Sequence, residues 1–310
     1  MIGATYLDMC FQIAGAPAES EILVAQRSAL MAGGKGFNQA VAAKRLNTDV
    51  KFITSMANDP ASELAIATLL AEGFAASDLY VELQHGRALT PSVILTSGND
   101  VRGVIGPAHT MPTAPLTALQ HAYREIARAD VVLLTYDFGK QMLRAVIDAL
   151  AAARGKPLFI VNPAPIFANA EWTADRLTCI DWLVPNRGEA ELIVPGTLDI
   201  GQRARELAIA ISGSVCVTLG SDGYMYAANT PPSDQRLPVV HRAFEVDVVD
   251  TTGASDAFCA ALAVWLAEGN TPPDALRAAA AAGALAARTL GTSSSMPRRA
   301  NLETFLRRHR

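Results

Sequence analysis

The sequence predicts an α/β fold, with a doubly wound, mostly parallel sheet and a small β-sheet lid. Half of the 310 residues are hydrophobic and 18% are charged, so a large core can form. From about residue 112, short apolar runs alternate with helical stretches, as in parallel strands joined by right-handed crossovers. Two segments, about 18–32 and 77–106, break this rhythm because they resemble strands that do not feed helices.

The main layer follows from the apolar pattern. Bare apolar runs are typical of strands buried on both faces, and we expect such strands at 131–134, 158–161, 182–184 and 215–218. A further strand is expected at 244–249. Helices are expected over 40–46 and near 113–128, 138–154, 201–212, 254–268 and 273–290.

The lid prediction rests on a hairpin pattern. Two apolar runs, 92–96 and 101–105, flank the turn-forming residues 97–100. The whole chain, 1–310, is expected to form a single domain with lid strands from about 18–32 and 77–106.

Charge and composition exclude several classes of function. The formal net charge is −4 and the basic run stands at 307–310, so no nucleic-acid partner is expected. The apolar start contains Asp8 and lacks a basic region, which argues against a signal peptide. Arg277 and Arg288 interrupt the Ala-rich stretch 276–290, leaving fewer than the ~20 apolar residues of a membrane span. We therefore expect a cytoplasmic protein with no membrane partner.

The strongest local signal is DTTGASDAF at 250–258, which opens an apolar helix. Unpaired N–H groups and the helix dipole favour an anion such as phosphate at such a terminus. The carboxylate of Asp256 would repel such an anion, so anion binding alone does not explain it. A carboxylate at this position is explained if it takes a proton from a hydroxyl that attacks the phosphorus. Taken alone, Asp256 is better explained as an acidic residue favoured in a first helical turn.

A second signal is GGKGFNQA at 33–40. Glycines before a helix let a ligand approach the backbone, and Lys35 and Asn38 add donors that suit sugar hydroxyls. The pattern is neither a Walker A loop nor GxGxxG. In isolation it is equally a glycine-rich turn with a surface lysine.

Polar residues also follow several predicted strands. NPAP at 162–165, PNRGE at 185–189 and TLGSDG at 218–223 each stand at a strand end. Each alone is an ordinary turn, but ligands of open α/β sheets bind at the carboxyl ends of strands. Together these segments predict one shared crevice.

These motifs resemble the PfkB/ribokinase family of carbohydrate and nucleoside kinases, the ribokinase branch most closely. GGKGFN and DTTGASD match its two signature regions, and NPAP, PNxxE and TLGxxG follow in the expected order. The resemblance runs from Gly3 to about Pro297 and implies a Rossmann-like α/β domain with a β-sheet lid. It further implies transfer of the γ-phosphoryl group of ATP to a sugar hydroxyl, with Mg²⁺ and a monovalent cation such as K⁺ as cofactors.

The resemblance also implies individual roles. Asp256 would be the base that deprotonates the acceptor hydroxyl, and the anion hole would be formed by the N–H groups of Gly253, Ala254 and Ser255. The sugar would be held by Asp8, Gly34, Lys35, Asn38 and Asp137. Magnesium and its waters would be organised by Asn186 and Glu189, and the nucleotide site lined by Thr218, Gly220 and Gly223. A monovalent cation would be bound by Asp250, Thr252, Ala286, Thr289, Gly291 and Ser295.

Three residues depart from the family's pattern. Ser255 replaces the second glycine of GAGD, which retains the backbone N–H but adds a Cβ near the γ-phosphate. Tyr6 stands where the ribokinase branch commonly has an asparagine, and Asp137 where it commonly has a glutamate. Both changes argue against taking ribose itself as the expected acceptor.

Three functions therefore compete, led by an ATP-dependent sugar kinase. A nucleoside kinase of the same family would use a more aromatic pocket, to which Tyr6 and Phe37 would contribute. A non-catalytic sugar or nucleotide sensor would account for Ser255, although the retained Asp256 argues against it. The exposed strand edges of the lid also predict a homodimer formed through the lid.

Overall fold

The structure is a computed structural model of the chain. It describes residues 1–15, 22, 24–97, 100–106, 112–153, 155–165, 174–229, 238 and 240–309.

The described residues form the following strands and α-helices. The strands are β1 Tyr6–Gln12, β2 Arg27–Gly33, β3 Phe52–Met56, β4 Leu79–Leu83, β5 Pro91–Ser97, β6 Asp100–Ile105, β7 Val131–Thr135, β8 Leu158–Asn162, β9 Trp182–Leu183, β10 Ser214–Thr218, β11 Tyr224–Ala228 and β12 Val240–His241. The α-helices are α1 Lys35–Arg45, α2 Pro60–Ala71, α3 Leu116–His121, α4 Tyr123–Arg128, α5 Gly139–Ala152, α6 Arg187–Ile193, α7 Ile200–Ile211, α8 Ala254–Ala267, α9 Pro272–Ala286 and α10 Arg299–Arg308.

The main sheet is mostly parallel, as predicted. Strands β7 to β10 pair in parallel, and β11 and β12 add an antiparallel edge. The parallel pair β3–β4 joins them through Ile2, which bridges Ile53 of β3 and Leu134 of β7. The first residues of the chain therefore occupy the middle of the sheet, between β3 and β7.

Helices cover both faces of this sheet, which confirms the doubly wound α/β prediction. One buried cluster contains residues of α1, α2, α8, α9 and α10, and the other contains residues of α3 to α7. Burial on both faces explains why β7 and β8 are bare apolar runs in the sequence.

The lid is a four-stranded sheet in the order β2-β1-β5-β6. The predicted hairpin is present as the antiparallel pair β5–β6. The lid prediction over 77–106 was wrong for its first part, because β4 pairs in parallel with β3 in the main layer. The predicted lid segment 18–32 contributes β2, and its residues 18–21 and 23 lie outside the described residues.

Two further element predictions were wrong. The helix predicted over 40–46 begins at Lys35, because the left-handed Gly34 (φ +89°) caps it and Gly36 packs directly on Gly3. No strand forms over 244–249. There the N–H groups of Val249 and Asp250 donate to the carbonyl of Ala287, at the end of α9, at 2.8 and 3.1 Å, so they are not available to a neighbouring strand.

Across the described part of the chain, no helix combines the length and apolar character needed to cross a bilayer.

Candidate active site

The two strongest sequence motifs meet where α1 packs against α8. Asn38, in the first turn of α1, donates from Nδ2 to Oδ2 of Asp256 at 2.9 Å. Both residues are almost completely buried, with 3% of each exposed. The structure thus joins side chains that are 218 positions apart, at the N-terminal ends of two helices.

Gln39 is a site residue that the sequence reading did not select. Its Nε2 donates to Oδ1 of Asp256 at 3.1 Å and to Oδ1 of Asn162, the last residue of β8, at 3.2 Å. Asn162 in turn donates to the carbonyl of Val184 at 2.8 Å. Gln39 lies inside the quoted GGKGFNQA motif, and its contact with an NPAP residue could have been anticipated from the convergence of strand ends.

Lys35 is the cation that faces this carboxylate. Its Nζ lies 3.9 Å from Oδ1 of Asp256. Burial lowers the pKa of Lys35, but the negative charges of Asp256 and Glu189 outweigh it, so the pKa is raised overall. The ammonium group therefore stays charged beside the base candidate.

The start of α8 positions Asp256, which lies in the first turn of this helix. Gly253 caps this helix in a left-handed conformation (φ +79°), which glycine adopts without strain. A Cβ at Gly253 would also lie 2.7 Å from Cε of Met296. The helix proper begins at Ala254, so Ala254 and Ser255 lie in its first turn, where N–H groups lack acceptors within the helix. The N–H of Ala254 donates to the carbonyl of Thr251 in the preceding turn at 3.2 Å.

Asp8 approaches the site from the lid. It lies inside β1 and not at the end of that strand. The N–H of Gly34 donates to its Oδ2 at 3.2 Å. Burial raises the pKa of Asp8 to about 6, against the lowering effect of this hydrogen bond.

The raised pKa of Asp8 predicts a pH-dependent gain in stability for Asp8→Asn. Between pH 4 and about 6 the folded state holds a proton that the unfolded chain has lost, so stability falls as pH rises through this window. Asparagine carries no such penalty. The free energy of unfolding gained by the variant should be larger at pH 8 than at pH 5, by about 1 kcal/mol. Urea unfolding at both pH values measures this, and an equal gain at both would contradict the assignment.

Asp137 follows β7 and is also buried at the site. Its Oδ2 accepts the N–H of Ala4 at 3.1 Å and the hydroxyl of Thr135. Burial raises the pKa of Asp137, while the charge of Lys35 lowers it and that of Asp256 raises it further. Among the described residues, Oδ1 of Asp137 has no hydrogen-bond partner.

Asn186 and Glu189 form a capping box at the start of α6. The N–H of Glu189 donates to Oδ1 of Asn186 and the N–H of Asn186 donates to Oε2 of Glu189, both at 2.8 Å. Burial raises the pKa of Glu189, which faces both Lys35 and Asp256. The second carboxylate oxygen is not needed for the cap, so a hard cation or its water ligands fit there.

Thr218, Gly220 and Gly223 stand together at the end of β10. Thr218 pairs with Asn186 in an isolated parallel bridge, which brings this turn beside α6. Gly223 (φ +101°) must be glycine, because a Cβ would lie 1.9 Å from the carbonyl oxygen of His241. The three residues thus lie next to the Asn186–Glu189 pair.

The residues predicted for a monovalent cation are partly brought together. Asp250 accepts the N–H and hydroxyl of Thr252 at 2.9 and 2.6 Å and the N–H of Gly291 at 3.0 Å. Ser295 donates to the carbonyl of Thr292, and Thr289 to that of Ala286. Most lone pairs of Asp250 therefore organise the loop itself, and its role as a cation ligand stays a prediction.

Phe37 does not belong to the pocket. It is fully buried and packs edge-to-face on Phe52, with ring centroids 6.4 Å apart. The predicted contribution of Phe37 to an aromatic nucleoside pocket is therefore wrong.

The comparison with protein families decides the identity of the chain. Residues 7–299 match the description "pfkB family carbohydrate kinase". The chain belongs to the PfkB family of carbohydrate kinases. Members of the PfkB family are phosphotransferases that act on hydroxyl groups, and this assignment agrees with both signature motifs.

Relatives of this PfkB protein match it over nearly their whole length. It is 31% identical to a ribokinase of Bacillus subtilis over 307 residues, covering 99% of this chain and 98% of the relative. It is 26% identical to a deoxyribokinase of Salmonella typhi, covering 96% of this chain and 94% of the relative.

Solved structures share the fold of this PfkB protein. An Arabidopsis thaliana ribokinase complexed with ribose and ATP superposes with a TM-score of 0.79 at 24% identity, covering 98% of this chain and 97% of the other. A Giardia lamblia ribokinase gives a TM-score of 0.82 at 20% identity, covering 98% of both chains. These likenesses confirm the predicted Rossmann-like α/β fold with its lid.

Proposed function

We propose that the protein is an ATP-dependent sugar kinase in which Asp256 is the general base. The observation that carries this proposal is the joint contact of Asp256 with Asn38 and Gln39 at 2.9 and 3.1 Å, beside Lys35 at 3.9 Å. A buried carboxylate at a helix N-terminus, surrounded by donors that suit sugar hydroxyls, can hold an attacking hydroxyl and take its proton. The ribokinase and deoxyribokinase relatives support a pentose as acceptor.

Phosphoryl transfer requires positioning and charge neutralisation more than covalent chemistry. The acceptor would lie between the lid and α1, held by Asp8, Lys35, Asn38, Asp137 and the backbone of Gly34. Asp256 would remove the proton as the hydroxyl attacks the γ-phosphorus. The N–H groups of Gly253, Ala254 and Ser255 would stabilise the charge that develops on the transferred group.

The nucleotide would lie across the strand ends at Thr218, Gly220 and Gly223. Asn186 and Glu189 would hold Mg²⁺ through water, since Glu189 keeps one oxygen free of the capping box. A bound Mg²⁺ supplies neutralisation of phosphate charge. Lys35 would add a further positive charge between the acceptor and the γ-phosphate.

Two accessory features belong to the proposal. A monovalent cation such as K⁺ would be held by carbonyl groups around Thr252, Ala286, Thr289 and Gly291, with Asp250 and Ser295 ordering the loops.

A homodimer would form through the edges of the lid, where Leu30 of β2 and Val104 and Ile105 of β6 are exposed. Sedimentation of only monomer at micromolar concentration would contradict the dimer.

A coupled ADP-release assay over pentoses, hexoses and nucleosides tests the proposed function. We expect ATP turnover that depends on a pentose or related sugar. Turnover with nucleosides alone would favour a nucleoside kinase, and binding without turnover for every acceptor would favour the sensor.

A further inference from the structure

Gln39 contacts the base candidate but is too deeply buried to reach a substrate. It is 0% exposed, whereas its neighbour Asn38 is 3% exposed. These two consecutive amides of α1 hold both oxygens of one carboxylate, since Asn38 donates to Oδ2 of Asp256 and Gln39 donates to Oδ1. Gln39 therefore lies at the base candidate and has no role in the mechanism above.

The neighbours of the Gln39 amide fix its orientation. Nε2 lies 3.1 Å from Oδ1 of Asp256 and 3.2 Å from Oδ1 of Asn162. Both of these oxygens are acceptors and Nε2 carries two hydrogens, so each oxygen receives one. Among the described residues, the other amide atom, Oε1, has no hydrogen-bond partner. The polar contacts of the Gln39 side chain are therefore made through Nε2.

Behind Gln39, the contacts continue to the backbone of the main sheet. Asn162 is the last residue of β8, and its Nδ2 donates at 2.8 Å to the carbonyl of Val184, which follows β9. Gln39 and Asn162 thus form an amide bridge that links Asp256 to two paired strands. Because strands hold a site more precisely than loops do, the amide bridge fixes the carboxylate relative to the sheet as well as to α8.

Lys35 does not replace the amide bridge, although its Nζ lies 3.9 Å from the same Oδ1 of Asp256. An ammonium group is a point charge on a flexible stem, so it attracts a carboxylate without fixing its plane. Amide hydrogen bonds are directional and weaken steeply when they bend. The orientation of the Asp256 carboxylate therefore depends on Asn38 and Gln39.

We propose that Gln39 is a positioning residue for phosphoryl transfer. It holds the carboxylate of Asp256 in the orientation that receives the proton of the attacking hydroxyl, and Asn162 holds Gln39 in place. The inference rests on the proposed function, in which Asp256 is the base. A base acts as the hydroxyl attacks, so its misplacement lowers kcat more than the affinity for either substrate.

Steady-state kinetics of the whole protein test this proposal, by coupled ADP release with ATP and the pentose that supports turnover. Gln39→Met keeps a side chain of similar length but removes both donated hydrogen bonds. It should lower kcat by about 10- to 100-fold, as for a misplacement of up to about 1 Å, and leave both KM values within about twofold. Added to Asp256→Asn, it should lower kcat by less than about twofold more, because its effect is exerted through Asp256.

Gln120→Met is the matched control, because Gln120 is exposed on α3 and its exchange should leave every constant unchanged. Thermal unfolding shows whether Gln39→Met is folded. If it is not, Asn162→Leu takes its place, since it removes the outer contact of the amide bridge and should also lower kcat without a further loss in Asp256→Asn.

Three results would overturn the inference: an unchanged kcat, a rise in both KM values with kcat retained, or a full additional loss of kcat in the Asp256→Asn background. The last two would assign Gln39 a purely structural role.

The same variants separate this inference from the proposed function. Turnover that is lost in Asp256→Asn and kept in Gln39→Met would defeat the inference alone. If the wild type released no ADP with any acceptor, the proposed function would fail, and the inference with it.

Discussion

Asp256→Asn is expected to lower kcat by about 10³-fold, within the range for loss of a general base. Asparagine has nearly the same shape, but its side chain cannot accept the proton of the attacking hydroxyl. The affinity for ATP should change little, because the proposed contacts of residues 253–255 with the γ-phosphoryl group are backbone N–H groups and the other nucleotide contacts lie on α6 and at the end of β10. Coupled ADP release measures kcat, and calorimetric titration of ATP without acceptor measures nucleotide affinity.

Asp130→Asn is the control for this experiment. Asp130 is exposed and directly precedes β7. It therefore lies at the amino end of that strand, whereas the site is formed at the carboxyl ends of the strands. It should leave kcat and ATP affinity unchanged. Normal turnover by Asp256→Asn would refute the role of base. A parallel loss of ATP binding would instead mean that Asp256 shapes the nucleotide site.

The fold was predictable wherever burial is two-sided. The strands from β7 to β10 appear in the sequence as bare apolar runs, because both faces of the sheet are covered by helices. The segment 244–249 was also predicted to be a strand, although Glu245 and Asp247 interrupt its apolar residues, and its end is hydrogen-bonded to the carbonyl of Ala287 at the end of α9. Local composition cannot show whether backbone N–H groups bond to a neighbouring strand or to the end of a helix, because either partner satisfies them.

The site was predictable in its main contact but not in its details. The meeting of 33–38 with 250–256 followed from the resemblance and is present as the Asn38–Asp256 hydrogen bond. Phe37 was wrongly predicted to line a pocket, because the sequence predicts that the helix begins at residue 40, five residues after the observed start of α1 at Lys35. A helix that begins at Lys35 turns Phe37 into the core, while Asn38 and Gln39 face Asp256.

The start of α1 depends on Gly36, and Gly36→Ala is expected to lower the free energy of unfolding by about 3 kcal/mol. A Cβ there would lie 2.3 Å from the carbonyl carbon of Gly3 and 2.7 Å from the backbone N of Ala4. These are backbone atoms in the middle of the main sheet, so they cannot move aside cheaply. Because α1 carries Lys35 and Asn38, its displacement should also raise the KM for the acceptor. Urea unfolding and acceptor titration measure the two effects.

Gly188→Ala is the matched control, since Gly188 is also in the first turn of a helix, α6. Its Cβ would meet only Oδ1 of Asn186, at an ordinary contact distance of 3.5 Å. Alanine has the higher helix propensity, so this variant should be more stable than the wild type, by up to about 1 kcal/mol. The two substitutions are chemically identical and differ in what the new methyl group touches, so opposite signs are expected. A stabilising Gly36→Ala would mean that α1 can move away from residues 3 and 4, and that this contact does not fix the position of Asn38.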